Sequence, residues 1–290
     1  MRTGLIIISA LLSMLIYTCD KPISQQEATD QEAIFNVVVI DNYRLSSLEI
    51  FHSNTTIPDT MAYIEEPDTL NPIFWHDIVD TEEEFDVNIN PEPVETEYGS
   101  FYQASVDYSK TRTGIFNLMR YNNETDSLER FSLEFSLQGE REAVCQQWGS
   151  VGGSRRGWRL IEISDAEFSS SGSGSFNLDS LYYHADSNGD SVFSVRSREL
   201  DSIPDFDIGE QVKLNFDYEP ETNLLLIYIP NNDYFYRLAN IHDAVGGGYE
   251  VTFNMPSKEL YGQLKFLTIN LDEITERYKA RGYSYNYHTE

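Results

Sequence analysis

Trp75-His76-Asp77 is the first group in the chain with the side chains of a reactive site. A histidine beside a carboxylate can serve as a general base when both face one cavity. Neighbours in sequence seldom do, so the competing reading of these three is a surface turn. The histidines, His52, His76, His184, His242 and His288, never fall at the short spacing of a zinc motif. Arg141, Arg155, Arg156 and Arg159 are a local concentration of cations. They could grip an anionic ligand, but in so acidic a chain pairing with nearby carboxylates is the plainer reading. Asp186, Asn188 and Asp190 alternate like the opening of an EF-hand loop. That loop needs Gly at its sixth position and Glu at its twelfth, where Ser191 and Ser197 stand, and Asn188-Gly189 suits a hairpin turn instead. No Gly-x-Ser-x-Gly elbow, Walker loop or dinucleotide fingerprint occurs. The candidate ligand-binding residues are therefore Trp75, His76, Asp77, Arg155 and Arg156. No catalytic residue, metal or cofactor is assigned, and the expectation is a protein that is not an enzyme.

Charge narrows the partners. The net charge is −28 over 290 residues, which excludes a long track of phosphates and so excludes nucleic acid. The same charge opposes docking on anionic lipid and favours solubility through self-repulsion. Tyr and Phe are abundant, at 19 and 16, and such a composition leans towards strands. Of the two cysteines, Cys145 sits in an apolar strand-like run and reads as a buried small hydrophobe.

Cys19 reads differently. The run Leu5 to Tyr17 follows a lone Arg2 and is short for a membrane span, so residues 1–18 read as an export signal. The sequence Leu15-Ile16-Tyr17-Thr18-Cys19 places an aliphatic residue three before the cysteine, with Thr18 where the usual pattern has Gly, Ala or Ser. It resembles a bacterial lipoprotein signal. The resemblance implies acylation of Cys19, residues 19–28 as a tether, and an extracytoplasmic location at the cell envelope, anchored by lipid. An ordinary secretory signal is the alternative. The partners expected are the lipid anchor and an envelope protein or glycan. Each buried methylene of such an anchor adds about 0.8 kcal/mol of membrane affinity.

The elements that must carry these residues follow in order. Thr29-Asp30-Gln31-Glu32 has the form of a capping box, and Ile34, Val37, Val38 and Leu45 follow at helical spacing. Residues 59–97 are acidic, without Lys or Arg, and broken by prolines. The segment Ile73 to Val79 within them could form one or two helical turns. Strands are expected at 84–90, 101–107, 113–121 and 128–148, with Tyr108 to Arg112 as a turn or as part of one long strand and a possible bulge at Gly139. Gly157-Trp158-Arg159-Leu160 closes the series. This order resembles the nuclear-transport-factor-2-like cone fold over residues 29–166, which implies an α+β domain made of a helix and a curved antiparallel sheet. Its members include enzymes, ligand carriers and silent modules, so a carrier or enzyme with a pocket there is the alternative function. Residues 167–175 read as a Ser/Gly linker. Residues 176–272 resemble an immunoglobulin-like β-sandwich, and 273–290 read as a tail rich in tyrosine. The function expected is a non-enzymatic envelope lipoprotein that serves binding, adhesion or assembly.

Acylation predicts that Cys19→Ala, expressed in a bacterial host, leaves the membrane fraction and enters the aqueous phase of a detergent partition. Unchanged partitioning would rule the lipid anchor out.

Overall fold

The helical cap forms where the sequence places it. Thr29 is extended, and its Oγ1 accepts from Glu32 N at 3.1 Å. Helix α1 (Asp30–Phe35) widens into a π-helical turn (Asn36–Asp41), and α2 (Tyr43–Ser46) follows. The β-branched run Val37-Val38-Val39-Ile40 lies in the wide turn, where Asn42 Nδ2 donates to Val37 O at 2.8 Å. Ala33, Ile34, Val37, Val38 and Leu45 form the buried stripe.

This computed structural model describes residues 29–50, 59–60, 73–122, 125–170, 181–193, 197–216, 223–230, 236–239, 241–243, 248–270 and 277–290. The expected signal peptide, the tether with Cys19 and residues 171–175 of the expected linker lie outside them.

Strands make up the rest of the architecture. β1 (Asp59–Thr60), β2 (Ile73–Ile89), β3 (Val94–Thr96), β4 (Gly99–Asn122) and β5 (Ser127–Gln147) come first. β6 (Trp158–Ser164), β7 (Ala166–Ser170), β8 (Leu181–Ala185), β9 (Gly189–Phe193) and β10 (Ser197–Glu199) follow. β11 (Asp205–Phe206), β12 (Gln211–Phe216), β13 (Asn223–Pro230) and β14 (Tyr236–Leu238) come next. The last are β15 (His242–Asp243), β16 (Tyr249–Asn254), β17 (Leu260–Asn270) and β18 (Ala280–Thr289).

Two sheets result. The larger has 13 strands along the path β1-β2-β4-β5-β7-β18-β17-β13-β14, with β6 and β10 beyond β5, β3 beside β4, and β11 parallel to β18. The smaller has five, ordered β15-β16-β12-β8-β9. It packs Leu181, Tyr183, Val212, Leu214, Val251 and Phe253 against one face of β13, β17 and β18. This is β-sandwich packing. The opposite face of the same three strands packs Leu224, Leu226, Leu267 and Ile269 against Phe74, Phe116, Phe135 and Phe168. The large sheet thus curls so that β2, β4, β5 and β7 cover its own end, as the twist of strands 17, 24 and 21 residues long allows. A third core lies beyond, where the helical segment packs on Ala104, Val106, Ala143, Cys145, Trp158 and Leu160.

Several expectations are corrected. The described chain is mostly strand with only short helical pieces, so no nuclear-transport-factor-2-like α+β domain exists here. The sheet does not close after β6. Chain continues into β7, which is hydrogen-bonded to β5 at Leu137–Glu140 and to β18 at Arg281–Ser284. A separate immunoglobulin-like sandwich is overturned by the same pairing, because one of its two layers is the end of the 13-stranded sheet. Segment 167–170, at the start of the expected linker, is therefore strand, and 280–289 of the expected tail is an inner strand. Ile73 to Val79 is strand rather than helical turn, with a register shift between Ile78 and Asp80. Residues 108–112 lie inside β4 as one long strand.

Gly139 is not a bulge either. The β4–β5 register runs through it unbroken, Lys110 opposite Gly139. A Cβ there would stand 2.6 Å from Phe168 Cε1, so the glycine makes room for a core ring. Gly139→Ala should cost ~1–3 kcal/mol by overpacking, read as a lower urea midpoint at an unchanged slope. The same substitution in a Phe168→Leu background should cost clearly less. Equal costs in the two backgrounds would remove the steric account.

Candidate functional site

The inner face of the curled sheet is apolar at both ends and charged between them. On β2 and β4 this middle zone carries Glu83, opposite Lys110, and Arg112 one inward position along. Glu49, from the segment after α2, reaches in beside them. Its Oε1 lies 2.7 Å from Lys110 Nζ, and its Oε2 pairs with Arg112. Glu83 completes the group at 2.6 Å from Lys110. Burial works to raise the Glu49 pKa, but the Lys110 hydrogen bond and the charges of Arg112 and Lys110 outweigh it and hold the carboxyl below its ordinary value.

The belt continues over β17 and β18. Gln263 is fully buried and donates from Nε2 to Leu45 O at 2.7 Å and to Ser47 O at 3.2 Å. Lys265 donates to Glu49 O, which ties the same segment to the sheet. Burial pushes Lys265 down to about 7, and the nearby charges of Arg141 and Arg112 push the same way against Glu49. Asn286 N donates to Asp165 Oδ1 at 2.8 Å, and Asn286 Nδ2 to Ser164 O at 3.1 Å. Arg141, on β5, is 3 % exposed and lies in this group.

The residues singled out by sequence separate. His76 and Asp77 are successive residues of one strand and point to opposite faces. His76 turns inward, its Nε2 3.2 Å from Tyr278 Oη and its ring 4.8 Å from Phe116 and 5.1 Å from Phe135. Burial pushes its pKa down to about 3. Asp77 lies on the outer face and accepts from Trp75 Nε1 at 3.2 Å and Asn117 Nδ2 at 2.9 Å. Trp75 is also outside, with the Arg130 guanidinium 5.5 Å from its ring. The two therefore form no acid–base pair in one cavity.

Arg155 and Arg156 sit on the short 3₁₀ turn Ser154–Gly157 between β5 and β6, both at positive φ. Arg155 grips Asp41 with Nε and Nη2, each at 2.7 Å. Arg156 Nε and Trp158 Nε1 both donate to Asp30 Oδ1, at 2.8 and 3.0 Å. Burial works to raise the Asp30 pKa, and these two hydrogen bonds outweigh it and lower it. The turn thus clamps the helical segment at both ends. Cys145 is fully buried, and burial pushes its thiol up to about 12, so it is no nucleophile at neutral pH. Asp205, His288 and Glu290 bring three ligand-type atoms within 4.8 Å of one another. His288 Nδ1 lies 2.7 Å from Asp205 Oδ1, and the arrangement accounts for itself as a contact between β11 and β18.

An exposed aromatic group was missed by sequence reading. Phe101 and Trp148 stack with centroids 4.5 Å apart at 21°, and Tyr98 stands 6.4 Å from Trp148. Tyr98 is 73 % exposed and Trp148 42 %. Trp148 Nε1 donates to Gln146 Oε1 at 3.2 Å, which orients the indole, and Gln146 faces Gln103 across the ladder. The available signal was a pair of aromatic residues at one end of a strand pair, Phe101 near the start of β4 and Trp148 just past the end of β5.

Comparisons of the chain with protein-family models, with curated proteins and with solved structures found no match.

His76 makes a pH prediction. Its folded pKa of about 3 lies below its ordinary value of 6.5. Between those values the unfolded chain takes up a proton that the folded chain refuses, so stability falls as pH drops from 6.5 towards 3. The largest possible slope from one such group is about 1.4 kcal/mol per pH unit. His76→Gln, which keeps an amide near Tyr278 Oη, should flatten the acid limb of urea-derived stability between pH 6.5 and 4 relative to the parent. Parallel curves would show that burial does not hold His76 below its ordinary value.

Proposed function

We propose that the protein is a non-enzymatic binding module of the bacterial cell envelope, held by lipid on Cys19, and that it engages a neutral glycan through the Tyr98–Phe101–Trp148 face. The observation that carries the reading is the stacked, solvent-facing Phe101–Trp148 pair with Tyr98 beside it. Exposed aromatic groups of this kind are enriched in recognition surfaces, since they offer large rigid contact area at small entropic cost. The hydrogen-bonding groups beside them include the amides of Gln146 and Gln103 and the Glu97 carboxylate at the Tyr98 hydroxyl, all of which can bond sugar hydroxyls. With a net charge of −28 the surroundings repel anionic polymers and leave neutral sugars as the better fit. The charged belt inside the sheet serves a different end in this reading, since it anchors the 45–49 segment.

The test is a tryptophan-fluorescence titration and affinity electrophoresis with neutral polysaccharides (mannan, dextran and a β-glucan). One of these should quench Trp148 and retard the protein. Trp148→Ala should weaken that binding at least about tenfold, ~1.4 kcal/mol, with an unchanged circular-dichroism spectrum. No binding by the parent, or equal binding by Trp148→Ala, would sink the reading.

A further inference from the structure

Arg141 has a buried edge without partners. Its Nη1 reaches Asn286 Oδ1 at 3.4 Å, while Nε and Nη2 have no hydrogen-bond partner. A buried N–H left in this state costs on the order of 1–3 kcal/mol. Nε and Nη2 lie on one edge of the planar guanidinium, the arrangement that holds the two oxygens of a carboxylate side-on.

Register places further donors in the same row. The β5–β7 ladder ends at Glu140–Glu167, so Arg141 falls beside Ala166 at the next step. Ala166 pairs with Ser284, and Ser284 pairs with Lys265. Alternation puts Arg141, Ala166, Ser284 and Lys265 on one inner face. In that row the residue between Arg141 and Ser284 is an alanine. Ser284 is fully buried, and its Oγ also has no partner. Within the belt the Glu49 carboxylate is committed to Lys110 and Arg112. Asp165 opposes the Arg141 charge, and its Oδ1 receives Asn286 N.

We propose that this row is a binding site for a small carboxylate, held side-on by Arg141 Nε and Nη2 with Ser284 Oγ as the third donor. The fork needs two oxygens on one carbon. Arg141 and Ser284 are both buried, which favours a small ligand, and formate is the smallest carboxylate. Binding would supply acceptors to the two orphaned nitrogens.

The experiment is thermal unfolding of the purified protein at pH 7.5 in sodium formate and in sodium chloride at equal ionic strength, with a ¹³C-formate NMR titration alongside. The parent should show a higher midpoint in formate and a saturable bound signal. Arg141→Leu should lose both, and Ser284→Ala should bind at least about tenfold more weakly. Equal midpoints of the parent in formate and chloride would overturn the site, as a buried water could then satisfy the row. A formate response that survives Arg141→Leu would overturn it too. If Arg141→Leu does not fold, Ser284→Ala decides, and formate binding unchanged in that variant counts against the proposal.

Discussion

The ladder between β17 and β18 is buried on both faces, and the other elements are placed by that fact. Leu264, Phe266, Tyr283, Tyr285 and Tyr287 enter the sandwich core. Gln263, Lys265, Leu267, Ile269, Ser284 and Asn286 turn the other way and are buried as well. A strand without access to water on either face must have its backbone N–H and C=O groups paired on both edges. β13 supplies one edge and β7 the other. Since β7 is also the neighbour of β5, the edge requirement of β18 joins the two halves of the chain into one sheet. Close approach enforces it locally. A Cβ on Gly282 would stand 2.4 Å from Phe266 O, and one on Gly262 2.4 Å from Tyr287 Oη.

Part of this was readable. Thr29 and Glu32 gave the helix start, and Phe131, Leu133, Phe135 and Leu137 gave the inward face of β5. The unbroken run Leu224 to Ile229 carried the mark of a strand covered twice, and all six of its side chains are buried. The pattern Tyr283-Ser284-Tyr285-Asn286-Tyr287 has the period of a strand, yet its alternate Ser and Asn imply a wet face by ordinary rules. They are dry here because the belt receives them. The cone resemblance failed for a different reason. Element order fixes which strands are consecutive, and says nothing of whether β5 ends a sheet or passes it to β18, a pairing more than a hundred residues away.

The same belt explains why the sequence left Tyr108 to Arg112 open between a turn and one long strand. Lys110 and Arg112 made a turn one of the two readings, because inward charges break the apolar alternation. Their partner is Glu49, on a segment far earlier in the chain, and no local pattern reveals it. Arg155 and Arg156 show the complementary case. Composition was enough to expect pairing with carboxylates, but the partners Asp41 and Asp30 lie at the far N-terminal end of the described chain. Positive φ at both arginines is tolerated because each is held by an ion pair.

A single fold here serves two electrostatic regimes. The outer surface carries the acidic excess, where water screens it and where like charges keep molecules apart. The inner belt brings Lys110, Arg112 and Arg141 together with Glu49 and Asp165 in a zone with less screening, and there each unmatched charge is costly. Apolar residues of similar size would have filled the same space with less risk, as they do above and below the belt at Val106 and Phe116. The charges are instead arranged so that Glu49, Gln263 and Lys265 fix one backbone segment, residues 45–49, by its carbonyls and its carboxylate. That assignment uses Lys110, Arg112 and Lys265 and leaves Arg141 over. A cation retained in the interior after the structural work around it is accounted for is where a ligand would be expected to complete the network.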